Sequence, residues 1–400
     1  MRVAFINSVC GYGSTGRIVV DQYNSLIQNG HAAFVAYGRK EGGADINSWR
    51  IGSRLSTIIS IAQTRFFDTH GLNNRRNTKK LLKQLDSFRP DVIHLHNIHG
   101  YYVNYRLLFK YISEKHIPVV WNFHDCWAMT GHCSHFEYVG CDKWLTQCSR
   151  CPQKGEYPAS FLLDRSRKNY ILKKAAFTSP EKMTLIAPSA WLASVAARSY
   201  LSKYPRVEIP TGINLEIFTP TKSDLKEKLG ITDEYILLGA ASTLSDRKGY
   251  YDFIWLAEHL PEGYKLVLVG LETHRLNSLP KSIIGLSRVG SASEMAELYS
   301  MADVFINPTK EDTFPTVNLE ALACGTPVIT YDSGGSKDSL TPACGVVVTR
   351  DDKEGLLNAV TAMRAHPLAA ADCRAQAMNY DRQVQVKKYL DIYEKYINNF

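Results

Sequence analysis

Residues 308–328 read PTKEDTFPTVNLEALACGTPV. The apolar run ending at Pro308 reads as a strand, the acidic, threonine-containing stretch after it as a loop, and the segment carrying Glu320 as the first turns of a helix. Another apolar run starts at Pro327. Strand, loop, helix and strand in so short a span describe a parallel sheet, whose strands cannot be joined by a hairpin and return through helices. Asp312 and Glu320 lie eight positions apart, so one carboxylate precedes the helix and the other rides on it, beside the same NH-rich turn. Carboxylates accept hydrogen bonds from vicinal hydroxyls such as those of ribose or a hexose. A helix end merely decorated with acids would explain the charges and leave the rest of the stretch unexplained.

The same alternation extends outward over the chain. Strands are expected at 3–6, 33–36, 92–95, 119–123 and 185–188, and again at 235–240, 265–269, 304–308, 327–330 and 345–348, with helical patterns between them. Residues 209–220, with Pro210, Gly212 and Pro220, suit neither helix nor strand interior and read as a hinge. The 400 residues therefore divide into two doubly wound parallel-sheet α/β domains, 1–208 and 209–380, followed by a helix in 381–400. Two such domains are expected to face each other across a cleft, with ligands at the carboxyl ends of the strands.

At 45% hydrophobic and 22% charged residues the composition is that of a globular protein and excludes disordered or collagen-like chains. The amino end lacks a signal-peptide pattern, and no apolar run reaches the roughly 18 to 20 residues that span a bilayer. The expected location is cytoplasmic, where nine cysteines stay reduced and clusters of them point to metal or to burial. Charge is uneven: residues 1–180 carry 24 Lys and Arg against 12 Asp and Glu, and the remainder 23 against 27. Arg75, Arg76, Lys79, Lys80 and Lys83 follow an apolar run with Ile58, Ile59, Ile61, Phe66 and Phe67. This combination suits an anionic membrane surface or a phosphate-bearing acceptor, and equally a solvated helix face packed on a core.

Three further loops could carry chemistry. Gly13, Ser14 and Gly16 follow the first strand and precede a helix expected from about residue 18, a setting in which backbone NH groups meet negative charge. His124 ends a strand and could donate a hydrogen bond to a sugar hydroxyl. Arg247 and Lys248 precede a helix amino end that is itself positive, so they call for an anion, either a diphosphate or a nearby acidic side chain.

Taken in order, the glycine-rich loop, His124, Ala187-Pro188-Ser189, the hinge Ile209-Pro210-Thr211-Gly212-Ile213-Asn214, Arg247-Lys248-Gly249 and the stretch from Asp312 to Pro327 resemble the retaining nucleotide-sugar glycosyltransferases of family four. The resemblance covers nearly the whole chain and implies the GT-B fold, two Rossmann-like domains, with the helix of 381–400 crossing back to the first of them. It implies that Glu320 holds the donor ribose, that Asp312, Thr313, Phe314, Pro315 and Thr316 face the donor sugar and diphosphate, and that Arg247 and Lys248 neutralise the leaving phosphate. His124 would contact the sugar near its anomeric carbon, with Gly13, Ser14, Gly16 and Gly290 also on the donor. The position of Asp312 is usually Glu in the family, and Ala241-Ser242 stand where many members carry Gly-Arg. Such enzymes require no metal or other cofactor for catalysis, the leaving diphosphate itself helping to deprotonate the acceptor.

Between Cys126 and Cys151 the chain reads CWAMTGHCSHFEYVGCDKWLTQCSRC. Cys148 and Cys151 have zinc-knuckle spacing, and Cys133 and Cys141 could complete four thiolates around a structural zinc, with His132 and His135 as alternative ligands and free buried thiols as the competing reading. The segment from Trp127 to Gly131 and the cysteines after it resemble a colanic-acid-type subgroup of exopolysaccharide transferases. That implies a UDP- or GDP-sugar donor, a lipid-linked glycan acceptor, and peripheral docking on the inner membrane. A nucleotide-sugar epimerase on the same fold is the alternative enzyme. A zinc-containing nucleic-acid-binding protein is the alternative of another class, but it leaves Asp312 and Glu320 without a role, so no nucleic-acid partner is expected.

Overall fold

Apolar runs of four to six residues build the interior strands of two sheets. The computed structural model describes residues 1–40 and 45–398, and every strand pair in its two sheets is parallel among the described residues. One unit comprises residues 1–209 together with the chain from Val386 onward; the other comprises residues 210–385.

The first unit runs β1 (Arg2–Asn7), α1 (Gly13–Gln28), β2 (Ala32–Tyr37), β3 (Ser48–Arg50), α2 (Arg54–Phe67), α3 (Arg75–Phe88), β4 (Val92–Leu95), α4 (Tyr105–Glu114), β5 (Val119–Asn122), α5 (Ser166–Phe177), β6 (Met183–Ala187), α6 (Ala190–Arg198) and β7 (Arg206–Glu208). The sheet order is β3-β2-β1-β4-β5-β6-β7, so the winding reverses between β1 and β4. Strands β4, β5 and β6 are buried at every position, because helices cover both faces of the sheet.

The second unit contains α7 (Leu225–Lys228), β8 (Tyr235–Ala240), α8 (Tyr250–His259), β9 (Tyr264–Val269), α9 (Thr273–Leu276), β10 (Ile283–Leu286), α10 (Ala292–Met301), β11 (Val304–Asn307), α11 (Thr316–Ala323), β12 (Val328–Tyr331), β13 (Gly345–Val348), α12 (Lys353–Ala365) and α13 (Ala370–Met378). Its order, β10-β9-β8-β11-β12-β13, reverses between β8 and β11. In open parallel sheets such a reversal leaves a crevice at the strands' carboxyl ends, because the loops on either side lead away in opposite directions. No helix among the described residues is long and apolar enough to cross a membrane.

The last helix, α14 (Arg382–Asn398), completes the first unit's core. Tyr389, Ile392 and Tyr393 are buried with Val3, Phe5 and Val120. Hydroxyl groups so buried need partners: the Tyr393 hydroxyl lies 2.5 Å from His94 Nδ1, and Asn122 Nδ2 donates to the Tyr389 hydroxyl at 2.9 Å. Replacing Tyr393 by Ala is expected to cost about 3 to 5 kcal/mol of stability, and Tyr393→Phe, which removes only the partner of His94, about 1 to 3 kcal/mol. Urea unfolding of the two variants beside the parent chain measures both; a Tyr393→Phe chain as stable as the parent would show that the hydroxyl contributes nothing.

Candidate active site

The second unit concentrates charge where its sheet reverses. After β8 the chain turns through 246–248 and reaches α8 at Gly249. Gly249 has φ +82, and a Cβ there would sit 2.4 Å from the Pro308 carbonyl oxygen, so the β8 and β11 loops touch only because this residue is glycine. Lys248 Nζ forms an ion pair with Asp312 Oδ2, and Arg247 Nη1 donates to the Glu311 carbonyl at 2.8 Å. Of the two answers the sequence allows for adjacent cations, the acidic side chain is the one Lys248 takes in this structure. Burial alone would raise the Asp312 pKa, but Lys248 outweighs it and holds the carboxyl below its usual range. Gly335 N donates to the Asp312 carbonyl at 2.9 Å, tying the loop after β12 to the same place.

Glu320 lies on α11, where Tyr299 of α10 donates its hydroxyl to Oε2 at 3.0 Å. Buried Asn318 joins α11 to β11 through Asn307 and to the next loop through the Ser336 carbonyl. Among the described residues no side chain caps the amino end of α11 and no acid lies in its first turn. Its NH groups and the positive end of the helix dipole therefore accompany Lys248 in one electropositive corner. Thr313, Phe314 and Pro315 are buried parts of the loop, while Thr316 opens the helix. Gly290 gives its NH to Glu294 at 2.7 Å beside the Ser291 cap of α10.

In the first unit, α1 starts at Gly13, earlier than the glycine-rich loop suggested. Ser14 and Gly16 are therefore in its first turn, and Gly13 itself, at φ +66, makes the bend that starts it. At the ends of β4 and β5 three imidazoles form a column. His94 and His96 stack at 4.4 Å and His96 and His124 at 5.3 Å, with His96 Nδ1 to His124 Nε2 at 3.0 Å and His96 Nε2 to Gln22 Oε1 at 3.0 Å. Burial pushes His94 down to about 3, His124 to about 4, and His96 well below its usual value. His124 is thus a neutral imidazole at physiological pH.

Sequence reasoning missed the neighbours of that column. His99 Nε2 lies 2.8 Å from Asp125 Oδ2, and His99 Nδ1 is 3.0 Å from the Tyr157 hydroxyl. Burial would raise the Asp125 pKa, but His99 overrides it and the carboxyl falls to about 2. His99 lies in the sequence run that holds His94 and His96, a signal that could have drawn attention to it; Tyr157, far along the cysteine-rich excursion, offered none.

The excursion after β5 holds its shape through buried polar anchors. His132 pairs with Asp68 at 2.7 Å, the Arg165 NH donates to the same carboxylate at 2.7 Å, and Lys173 lies 3.5 Å over the Trp127 ring while donating to the Trp127 and Thr130 carbonyls. Burial lowers Lys173 to about 7. Asp68 therefore engages Nδ1 of His132, one of the alternative zinc ligands, and buried polar groups order the excursion. Cys133, Cys141, Cys148 and Cys151 are unpaired and line one cavity of about 10 Å³. Among the described residues no group of three or more His, Cys, Asp or Glu is arranged to hold a metal ion.

Comparison with known proteins agrees with this architecture. A family model described as Glycosyltransferase Family 4 matches residues 15–217, and one described as Glycosyl transferases group 1 matches residues 221–380. The chain is 24% identical to the colanic acid biosynthesis glycosyl transferase WcaC of Escherichia coli strain K12, over 98% of this chain and 100% of that one. It is 28% identical to an N,N'-diacetylbacillosaminyl-diphospho-undecaprenol alpha-1,3-N-acetylgalactosaminyltransferase of Campylobacter jejuni, over 47% of this chain and 54% of the relative. Among solved structures, Anabaena Alr3699/HepE in complex with UDP-glucose superposes with a TM-score of 0.66 at 16% identity, covering 99% and 100% of the two chains. The two parallel-sheet units are those of the GT-B fold.

The neutral histidines set an acid limit on stability. Unfolded, each would take a proton near pH 6.5; folded, His124 and His94 refuse it until about pH 4 and about pH 3. Stability is therefore whole above about pH 6.5 and falls on acidification through that window, by up to about 1.4 kcal/mol per pH unit for each histidine. Melting temperatures between about pH 7.5 and 4.5 should show the fall, less steeply in His94→Gln. An unchanged slope in that variant would mean that His94 is protonated in the folded chain.

Proposed function

We propose that this chain, which belongs to Glycosyltransferase Family 4, moves a hexose-type sugar from a UDP- or GDP-sugar to a lipid-linked glycan, with retention of anomeric configuration, in the building of a bacterial surface polysaccharide. The observation that carries this reading is the corner where Lys248 pairs with Asp312 beside the uncapped end of α11, with Glu320 oriented by Tyr299.

Donor binding exchanges partners in that corner. The diphosphate oxygens take Lys248, Arg247 and the NH groups of α11, and Asp312 turns its carboxylate to a sugar hydroxyl. Glu320 accepts from the ribose hydroxyls. As the bond between the anomeric carbon and the diphosphate oxygen breaks, negative charge grows on the leaving group, and fixed cations and helix dipoles stabilise it without having to reorganise. The acceptor oxygen attacks the face that the leaving group vacates, and its proton passes to the diphosphate. His124, neutral, is the group assigned to the sugar near its anomeric carbon. The polysaccharide context rests on the likeness to WcaC, and the lipid-linked acceptor on the diphospho-undecaprenol named for the Campylobacter relative.

Thermal stabilisation by a panel of UDP-, GDP- and dTDP-sugars tests the donor site, since a ligand that binds only the folded state at about a hundred times its Kd adds about 2.7 kcal/mol. One donor is expected to raise the melting temperature of the parent chain and to leave Glu320→Ala unmoved. Equal stabilisation of both chains would remove Glu320 from the site, and a folded parent that responds to no donor would sink the reading.

A further inference from the structure

Three loops of the first unit bring polar and aromatic side chains together in a place that the sugar-donor corner does not use. Arg39 follows β2, His99, Gly100 and Tyr101 follow β4, and Asp125 follows β5, so they arrive from both sides of the reversal between β1 and β4. The backbone there is held against its preference. Gly100 has φ +113 and Tyr101, a bulky residue, φ +71, a conformation secured by Asn74 Nδ2, which donates to the Tyr101 carbonyl at 2.7 Å. Strain of this kind persists only where the surroundings over-determine it, and it gathers at ligand sites.

Spare hydrogen-bonding capacity collects around that strained turn. The Gly100 NH donates to His70 Nε2 at 3.1 Å, so the proton of His70 sits on Nδ1, which is buried and has no partner among the described residues. Arg39 Nε is buried without one too, and the guanidinium lies along Gly100, with Nη2 3.5 Å from where a Cβ would stand. Buried donors left unmet are costly and call for an acceptor. Beside them, Asp125 Oδ1 accepts from the Trp127 NH at 2.8 Å and Oδ2 lies 2.8 Å from His99 Nε2, and each oxygen keeps a further lone pair. Aromatic rings complete the cluster: His70 lies 4.7 Å from Tyr101, 5.5 Å from Trp127 and 5.7 Å from Tyr157, each edge to face. Tyr157 is 39% exposed whereas His70, His99 and Tyr101 are at most 8% exposed, so its ring forms the outer surface. A carboxylate, a guanidinium and an aromatic face in one cluster match a neutral pyranose, whose hydroxyls both donate and accept and whose C–H face packs on a ring. A phosphate or carboxylate ligand would gain from Arg39 but meet Asp125, a like charge.

We propose that Arg39, His99, Asp125 and Tyr157 form a subsite for a neutral pyranose of the acceptor glycan, with the sugar face on Tyr157 and its hydroxyls on Asp125 and Arg39. The subsite rests on the sugar-transfer reading, and it makes Tyr157, carried in by the cysteine-rich excursion, a residue that sets which acceptor is taken. The test is saturation-transfer NMR of the full chain with the methyl glycosides of glucose, galactose, mannose, fucose and N-acetylglucosamine. At least one is expected to receive saturation, with a Kd on the order of 1 mM. Tyr157→Ala, and separately Asp125→Asn, whose Oδ1 still accepts from Trp127, should each weaken that binding at least about tenfold at an unchanged melting temperature. Tyr157 is the exposed member of the cluster, so its variant keeps the fold and decides the matter if Asp125→Asn does not. Saturation of no glycoside, binding indifferent to either variant, or displacement by millimolar inorganic phosphate overturns the proposal. So does a signal that Glu320→Ala abolishes, which would place the sugar among the donor residues. Donor binding is read separately: where a nucleotide-sugar raises the melting temperature of the parent chain and no glycoside binds, the pyranose subsite falls and the sugar-transfer reading stands.

Discussion

Parallel pairing is the constraint from which the rest of this structure follows. A strand that must lie parallel to its neighbour has to be carried back by a crossover, so every strand in a unit delivers its next loop to the same edge. Where the winding reverses, between β1 and β4 and between β8 and β11, the loops part and leave room. Lys248 follows β8 and Asp312 follows β11. Their ion pair lies at that edge because the order of strands leaves adjacent ends to be occupied by loops from distant parts of the chain.

The two units handle buried charge differently. In the second, cations meet carboxylates: Lys248 pairs with Asp312, and Lys310 reaches Asp252 at 3.1 Å. In the first, buried histidines do both: His94, His96 and His124 stack and stay neutral, His99 and His132 meet Asp125 and Asp68, and buried Lys173 rests on an indole and backbone carbonyls. Ion pairs can trade one anion for another with modest rearrangement, which suits a place that receives phosphate. Neutral stacked rings and an embedded lysine are stiff, which suits a wall that keeps its shape.

Much of the fold was legible because fully buried strands are apolar at nearly every position, as in VVWN of β5 and VFIN of β11, where the closing asparagines Asn122 and Asn307 are buried with hydrogen-bond partners. The strands β3, SWR, β7, RVE, and β10, IIGL, escaped notice: three or four residues at a sheet edge carry too few buried positions to make a pattern. The acidic stretch before α11 stood out because Asp312 and Glu320 are close in sequence, whereas the partnership of Asp312 with Lys248 spans 64 positions and depends on strand order. Tyr157 could not have been foreseen beside His99, since its place depends on an excursion pinned by Asp68 and Lys173. The apolar run of α2 was visible, but which side of it faced inward was settled only by the burial of Thr57, Ser60 and Thr64.

The placement of α14 bears on how the protein is made. The first unit is discontinuous: its sheet and helices come from residues 1–209, yet the tyrosines that partner His94 and Asn122 are supplied by residues 389 and 393. On the ribosome, domains tend to fold in the order in which they emerge. Here the unit that emerges first must wait, with a buried histidine and asparagine lacking their partners, through the synthesis of the whole second unit. The polypeptide leaves the tunnel front half first and becomes native back half first. Until α14 arrives, the surface it will cover is an exposed apolar face of the kind that chaperones hold.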